Sequence, residues 1–158
     1  MRRLTTQRGF TLIELLIVVA LVAIVATIAV PGFGRLIESN RVSSYTNTVL
    51  SAFSFARTEA IRVGERIDVV ANGGDWSAGF LIEQGGSLVR DVAAGPTGVS
   101  LGRTDSAGGT QFSFRATGEL LEPEAEFEVC GSDGNAGVKL EILGGGLVQT
   151  DTVNACGG

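Results

Sequence analysis

The sequence predicts an α+β protein: a long N-terminal helix, apolar in its first half and amphipathic in its second, packed on a glycine-rich antiparallel sheet. Three observations predict it. An apolar run from Phe10 to Val30 opens the chain, and an apolar stripe at helical spacing follows from Val42 to Val63. After Gly64, 19 of the 94 residues are glycine, set between short alternating runs. At 158 residues, one domain with a modest core is expected beside the helix.

The first run reads FTLIELLIVVALVAIVATIAV, apolar at every position except Thr11, Glu14 and Thr27. As a helix it would be about 31 Å long, the thickness of a bilayer's hydrocarbon core. It outlasts the roughly 7–15 apolar residues of a cleaved secretory signal. Pro31-Gly32 closes it, and Arg2, Arg3 and Arg8 precede it with no acidic residue among them. Positive charge stays cytoplasmic, so a single-pass anchor with the remainder of the chain across the membrane is expected.

Glu14 is the exception inside this run. A carboxylate at the bilayer centre costs about 2.5–3.5 kcal/mol on insertion scales, and less near an end. Either Glu14 lies close enough to the headgroups to be tolerated, or it has a positive partner. Cutting the chain between Gly9 and Phe10 would create one, an α-ammonium on Phe10 one helical turn away. An adjacent copy in an assembly could supply the same charge. The first helical turn also favours a carboxylate through the helix dipole.

The stripe of the second half consists of Val42, Tyr45, Val49, Phe53, Ala56, Ala60 and Val63, with Arg41, Arg57, Glu59, Arg62 and Glu65 between them. Gly64 is placed to stop this helix. Pro31, beside Gly32 and Gly34, is a candidate kink. Alternating runs then predict strands over Arg66–Val70, Gly79–Glu83, Ser87–Val92, Gln111–Arg115, Glu126–Cys130, Val138–Leu143 and Leu147–Thr150. Short Gly-containing turns between them favour an antiparallel meander wrapped on the stripe. Trp76, at a turn, is expected to join the core.

Composition removes most chemistry. The absence of histidine excludes imidazole metal sites and Ser-His or Cys-His catalytic pairs, and two cysteines are too few for a four-thiolate zinc site. No nucleophile–base pair can be named, so no catalytic residue, metal ligand or cofactor is assigned. Gly144-Gly145-Gly146 lacks the Lys-Ser/Thr ending of a phosphate loop and reads as a hairpin turn. Glu119, Glu122, Glu124, Glu126 and Glu128 read as solvated carboxylates on the outer face of an edge strand rather than a divalent-cation site. The net charge of -5 opposes nucleic-acid binding.

The basic leader, Gly9, Phe10, Thr11-Leu12-Ile13-Glu14 and the long apolar run together resemble the class III signal of type IV pilins and type II secretion pseudopilins. That resemblance implies a prepilin peptidase that cuts after Gly9 and N-methylates Phe10. It also implies a role for Glu14 in methylation and assembly, and a helix-weakening role for Pro31. Ser51–Ile61 with Val63-Gly64, the Trp76-Ser77-Ala78-Gly79-Phe80 segment, Phe112-Ser113-Phe114 with Gly118, and Phe127-Glu128-Val129-Cys130 resemble the GspH/FimT group within that family.

The organisation implied is a cleaved leader over 1–9, a transmembrane and filament-core helix over 10–31, and a periplasmic globular part over 32–158, helical to about 64. Its location would be the bacterial inner membrane and then the filament. In that oxidising space Cys130 and Cys156 are expected to pair, two buried free thiols being the alternative. The implied function is structural and non-enzymatic: a minor subunit that helps initiate or cap a type IV pilus or a type II secretion pseudopilus. Its partners would be the prepilin peptidase, other minor and major pilins or pseudopilins, and the inner-membrane assembly platform. The alternative is a FimT-like DNA receptor in natural transformation, which in some members uses a Gly-Arg step before the last strand. Here that place holds Gly145-Gly146-Leu147, and from Gly32 onward 9 basic residues face 16 acidic ones. Both facts argue against nucleic acid as a partner.

Overall fold

The computed structural model describes residues 10–106, 108–132, 134, 137–153 and 155–156, without the side chains at 28–32. The leader with Gly9, and the Pro31 side chain with the kink expected of it, lie outside the described residues. Helix α1 covers Leu12–Val63. Eight strands follow: β1 Ile67–Ala71, β2 Gly79–Gln84, β3 Ser87–Ala93, β4 Val99–Arg103, β5 Gln111–Phe114, β6 Glu124–Gly131, β7 Gly137–Leu143 and β8 Val148–Val153. The chain divides into two compact units, 1–37 and 38–158.

In the second unit the helix stripe forms one side of the core. Val42, Tyr45, Val49, Phe53, Ala56 and Ala60 are buried, joined by Thr46 and Ala52. Thr46 is tolerated there because its hydroxyl donates to the Val42 carbonyl at 2.9 Å. Phe53 is the hub, with ring centroids 5.3 Å from Phe80, 5.1 Å from Phe112 and 5.1 Å from Phe127. One helical side chain thus touches β2, β5 and β6 at once. The helix stops at Gly64, whose φ of 70° lets its N–H close on the Ala60 carbonyl at 3.0 Å.

The strands do not form the single meander expected from the sequence. They make two four-stranded sheets, ordered β3-β2-β1-β5 and β4-β6-β7-β8, with every pairing antiparallel. After β3 the chain crosses to the second sheet for β4, returns for β5 and crosses again for β6. Strand β4 has no counterpart among the predicted strands. Its Val-Ser-Leu-Gly-Arg offers only two inward apolar residues, Val99 and Leu101, and its pairing with β6 is a long-range choice.

The acidic run is placed differently too. β6 is interior, between β4 and β7, and its Ala125, Phe127 and Val129 are buried. Glu124, Glu126 and Glu128 alternate with them, so they lie on the outer face of a central strand and not on an edge.

The Trp-x-x-Gly-Phe segment has a packing reason. Trp76 is buried, its ring 4.8 Å from Phe127, and its Nε1 donates to the Gly109 carbonyl at 3.0 Å. Gly79 has φ 93°, and a Cβ there would lie 2.3 Å from the Val92 carbonyl oxygen, so only glycine lets β2 start this close to β3. Phe80 then enters the core.

Candidate functional site

The first unit holds the residues that the motif singles out. Thr11 caps α1: its Oγ1 accepts the Glu14 N–H at 3.2 Å and its carbonyl accepts the Leu15 N–H at 3.2 Å. Thr11-x-x-Glu14 is the capping-box pattern, which places Glu14 at the third helical position, facing the positive end of the helix dipole. Phe10 stands immediately before the cap and is 84% exposed. The cap sets the Glu14 carboxyl in the first helical turn, four residues after Phe10 and amid apolar side chains.

Around and behind Glu14, Ile13, Leu15, Leu16, Ile17, Val18, Val19, Leu21, Val22, Ile24 and Val25 are each more than half exposed. A contiguous apolar surface of this extent needs a lipid or protein cover, since burying one such side chain is worth about 1.5–3 kcal/mol. Thr27 does not spoil that surface, because its hydroxyl donates internally to the Ile24 carbonyl at 2.7 Å. Among the described residues no helix is long and apolar enough to cross a membrane. The described side chains of the apolar run stop at Thr27, short of the roughly 20 residues a crossing takes.

In the second unit several charged groups serve structure. Arg103 and Asp105 form a buried ion pair, Nε–Oδ2 2.5 Å, with side chains 3% and 2% exposed. Arg103 Nη1 also donates to the Gln111 carbonyl at 2.6 Å, while Asp105 accepts from the backbone N–H of Gly108 at 2.9 Å and of Glu126 at 3.2 Å. Burial alone would raise the Asp105 carboxyl, but Arg103 and those two N–H groups outweigh it and hold it below the usual carboxylate range. The pair therefore ties β4 to β5 and β6, joining the two sheets. The sequence carried no signal for it, because its strand was itself not legible.

Arg57, which the periodicity places on the polar side of the helix, donates to the Gly118 carbonyl at 3.0 Å and the Gly145 carbonyl at 3.1 Å. It fastens the β5–β6 connection and the Gly-rich β7–β8 turn to α1. Glu38 does the same for the β6–β7 turn, accepting from the Ser132 N–H at 2.5 Å and its hydroxyl at 2.6 Å. Lys139 contacts Glu126 at 2.8 Å, and that hydrogen bond, with the nearby charges of Glu141 and Glu128, raises its pKa.

Cys130 and Cys156 are bonded, their Cα atoms 6.0 Å apart, so the C-terminal segment is clamped to β6. Glu128 lies beside the two sulfurs. A disulfide offers no thiolate, however, and that trio is not a metal ligand set.

Residues 45–146 match the family model described as type II transport protein GspH, and residues 4–30 match the prokaryotic N-terminal methylation motif. Among solved structures, the chain is similar to the Pseudomonas aeruginosa type IV minor pilin FimU in two crystal forms. In one the identity is 22% over 77% of this chain and 99% of that one, with a TM-score of 0.63. In the other it is 23% over 73% and 100%, with a TM-score of 0.57. At these identities the likeness establishes the fold: a pilin-like helix on antiparallel sheets. No curated protein matches the chain.

Proposed function

Since this chain belongs to the GspH family and is a GspH/FimT-like pilin carrying the N-terminal methylation motif, we propose that it is a minor subunit that helps initiate or cap a type IV pilus or type II secretion pseudopilus. The observation that carries this reading is the column of exposed apolar side chains behind Phe10 and Glu14. A surface so apolar is stable in a bilayer before assembly and among other subunits' helices afterwards.

A prepilin peptidase removes residues 1–9 in this reading and methylates the new N-terminus of Phe10. While the subunit waits in the membrane, its N-terminus stays cytoplasmic and the domain that follows the apolar helix is periplasmic. On extraction, Glu14 neutralises the Phe10 ammonium of a neighbouring subunit. Leaving either charge unpaired in an apolar core is costly, so the pair fixes the axial register of the helices as much as it stabilises them. The β-rich unit supplies the surface that meets partner subunits, and no catalytic step is required of it. Lys139, engaged by Glu126, adds little for phosphate contact, which supports the structural role over DNA uptake.

The test is intact-mass analysis of the protein from cells with an active prepilin peptidase. The expected species begins at N-methyl-Phe10; a chain still carrying Met1–Gly9 would overturn the reading. Glu14→Ala should still be cleaved but lose methylation and filament entry. Normal incorporation of that variant would remove Glu14 from its proposed role.

A further inference from the structure

Strand β8 closes one side of the second sheet, and among the described residues no strand pairs with its other edge. Natural edges are usually blunted by a bulge, a proline or an inward charge. β8, Val-Gln-Thr-Asp-Thr-Val, carries no proline or lysine, and its pairing with β7 runs from Gly137↔Val153 to Ile142↔Val148 with no register shift.

The Thr152 N–H donates to the neighbouring Asp151 carboxylate at 2.8 Å, so it points to the open side and not to β7. By antiparallel alternation, Thr150 and Val148 present their N–H and C=O groups on that same side. A groove flanks each face of the strand. The inner one, about 330 Å³, lies between β8 and the helix and is lined by Ser43, Thr46, Asn47, Val138, Thr150 and Thr152, with Asp151 at its border. The outer one, about 220 Å³, is lined by Lys139, Glu141, Gln149, Thr150 and Asp151.

We infer that the β8 edge is a docking site for an extended, basic segment of a partner polypeptide, which adds to the second sheet as a further strand. A strand added beside β8 sends alternate side chains to opposite faces, and a groove stands ready on each. On the inner face hydroxyl and amide groups favour small polar side chains. On the outer face Lys139 already contacts Glu126, which leaves Glu141 and Asp151 to set a negative field. The incoming carbonyl replaces the Asp151 carboxylate on the Thr152 N–H, and Asp151 then turns to a partner's Lys or Arg. The site is separate from the helix-mediated assembly proposed above and does not depend on which filament the chain enters.

Full-length protein in detergent micelles, titrated against a fluorescein-labelled Thr-Lys-Thr-Lys-Thr-Lys peptide, tests this by anisotropy. Binding should exceed that of the matching Thr-Glu peptide by at least about tenfold, and amide exchange at Val148, Thr150 and Thr152 should slow. Thr150→Pro removes one outward N–H on an edge, where proline is tolerated, and should weaken the peptide by about tenfold. The double reversal Glu141→Lys with Asp151→Lys leaves the backbone untouched and should switch preference to the Glu peptide. Equal binding of both peptides, an unchanged preference in the double reversal, or protection that misses β8 would overturn the proposal. So would a dimer of the unliganded chain that Thr150→Pro abolishes, because the edge would then belong to a second copy.

Discussion

Replacing Asp105 by alanine removes one half of the buried pair that joins the two sheets. The Arg103 guanidinium, its side chain 3% exposed, would keep the Gln111 carbonyl and the face of Phe127, 5.8 Å away, but lose its counter-charge. The backbone N–H groups of Gly108 and Glu126 would lose the carboxylate that accepts them. Stranding one partner of a buried pair costs about 3–5 kcal/mol, a large share of the roughly 5–15 kcal/mol that holds a domain folded. Trp76 reports the transition directly, because it is the only tryptophan and donates to Gly109 in the same β4–β5 loop. In guanidinium chloride the unfolding midpoint should fall by about 1 M or more at neutral pH. The Asp105 carboxyl is depressed in the folded state, so its stabilisation is complete above the unfolded value of about 3.9 and is lost as pH falls through the lower folded one. The gap between wild type and Asp105→Ala should therefore narrow on acidification. A variant midpoint within about 0.2 M of wild type, or a gap indifferent to acid, would mean that the pair does not hold the two sheets together.

Phe53→Ala empties the junction of three rings and should destabilise the β-rich unit by about 3–5 kcal/mol, measured by the same denaturation curve. Cys130→Ser with Cys156→Ser opens a loop of 26 residues; loop-closure entropy puts the loss at about 3.5 kcal/mol, and a reducing agent should lower wild type to the same midpoint without moving the variant. Gly79→Ala forces a side chain into the backbone of Val92–Ala94 at positive φ, with strain of at least about 1–3 kcal/mol, read as a lower melting temperature and faster amide exchange in β3.

Much of the architecture is local and therefore legible. The stripe from Val42 to Ala60 repeats at the helical period, and each of its members is buried as that period requires. Gly64 stops the helix because a left-handed residue is needed there, and seven strands stand close to where alternation and turn residues put them. Glu14's place in the first helical turn is equally local; the Thr11 cap three residues before it is local too, although it was not among the sequence expectations. β4 and the double crossing between sheets were not legible, because two apolar residues and a glycine carry almost no period and the choice of β6 as partner is made across the fold. The same reason hides the roles of Arg57, Glu38 and Arg103. Their partners are backbone carbonyls, a serine and a buried aspartate whose proximity depends on the packed sheets.

Residue type and spacing along the chain were enough for an apolar helix with Phe10 at its head and Glu14 in its first turn, for its amphipathic continuation, and for a strand-rich remainder. Packing across the fold set the division into two sheets, the interior place of β6 with its acids facing outward from a central strand, and the far edge of β8, which no strand covers among the described residues. Strand pairing is a contest among distant segments, and it is settled by which pairings let Phe53, Phe80, Phe112 and Phe127 close on one another.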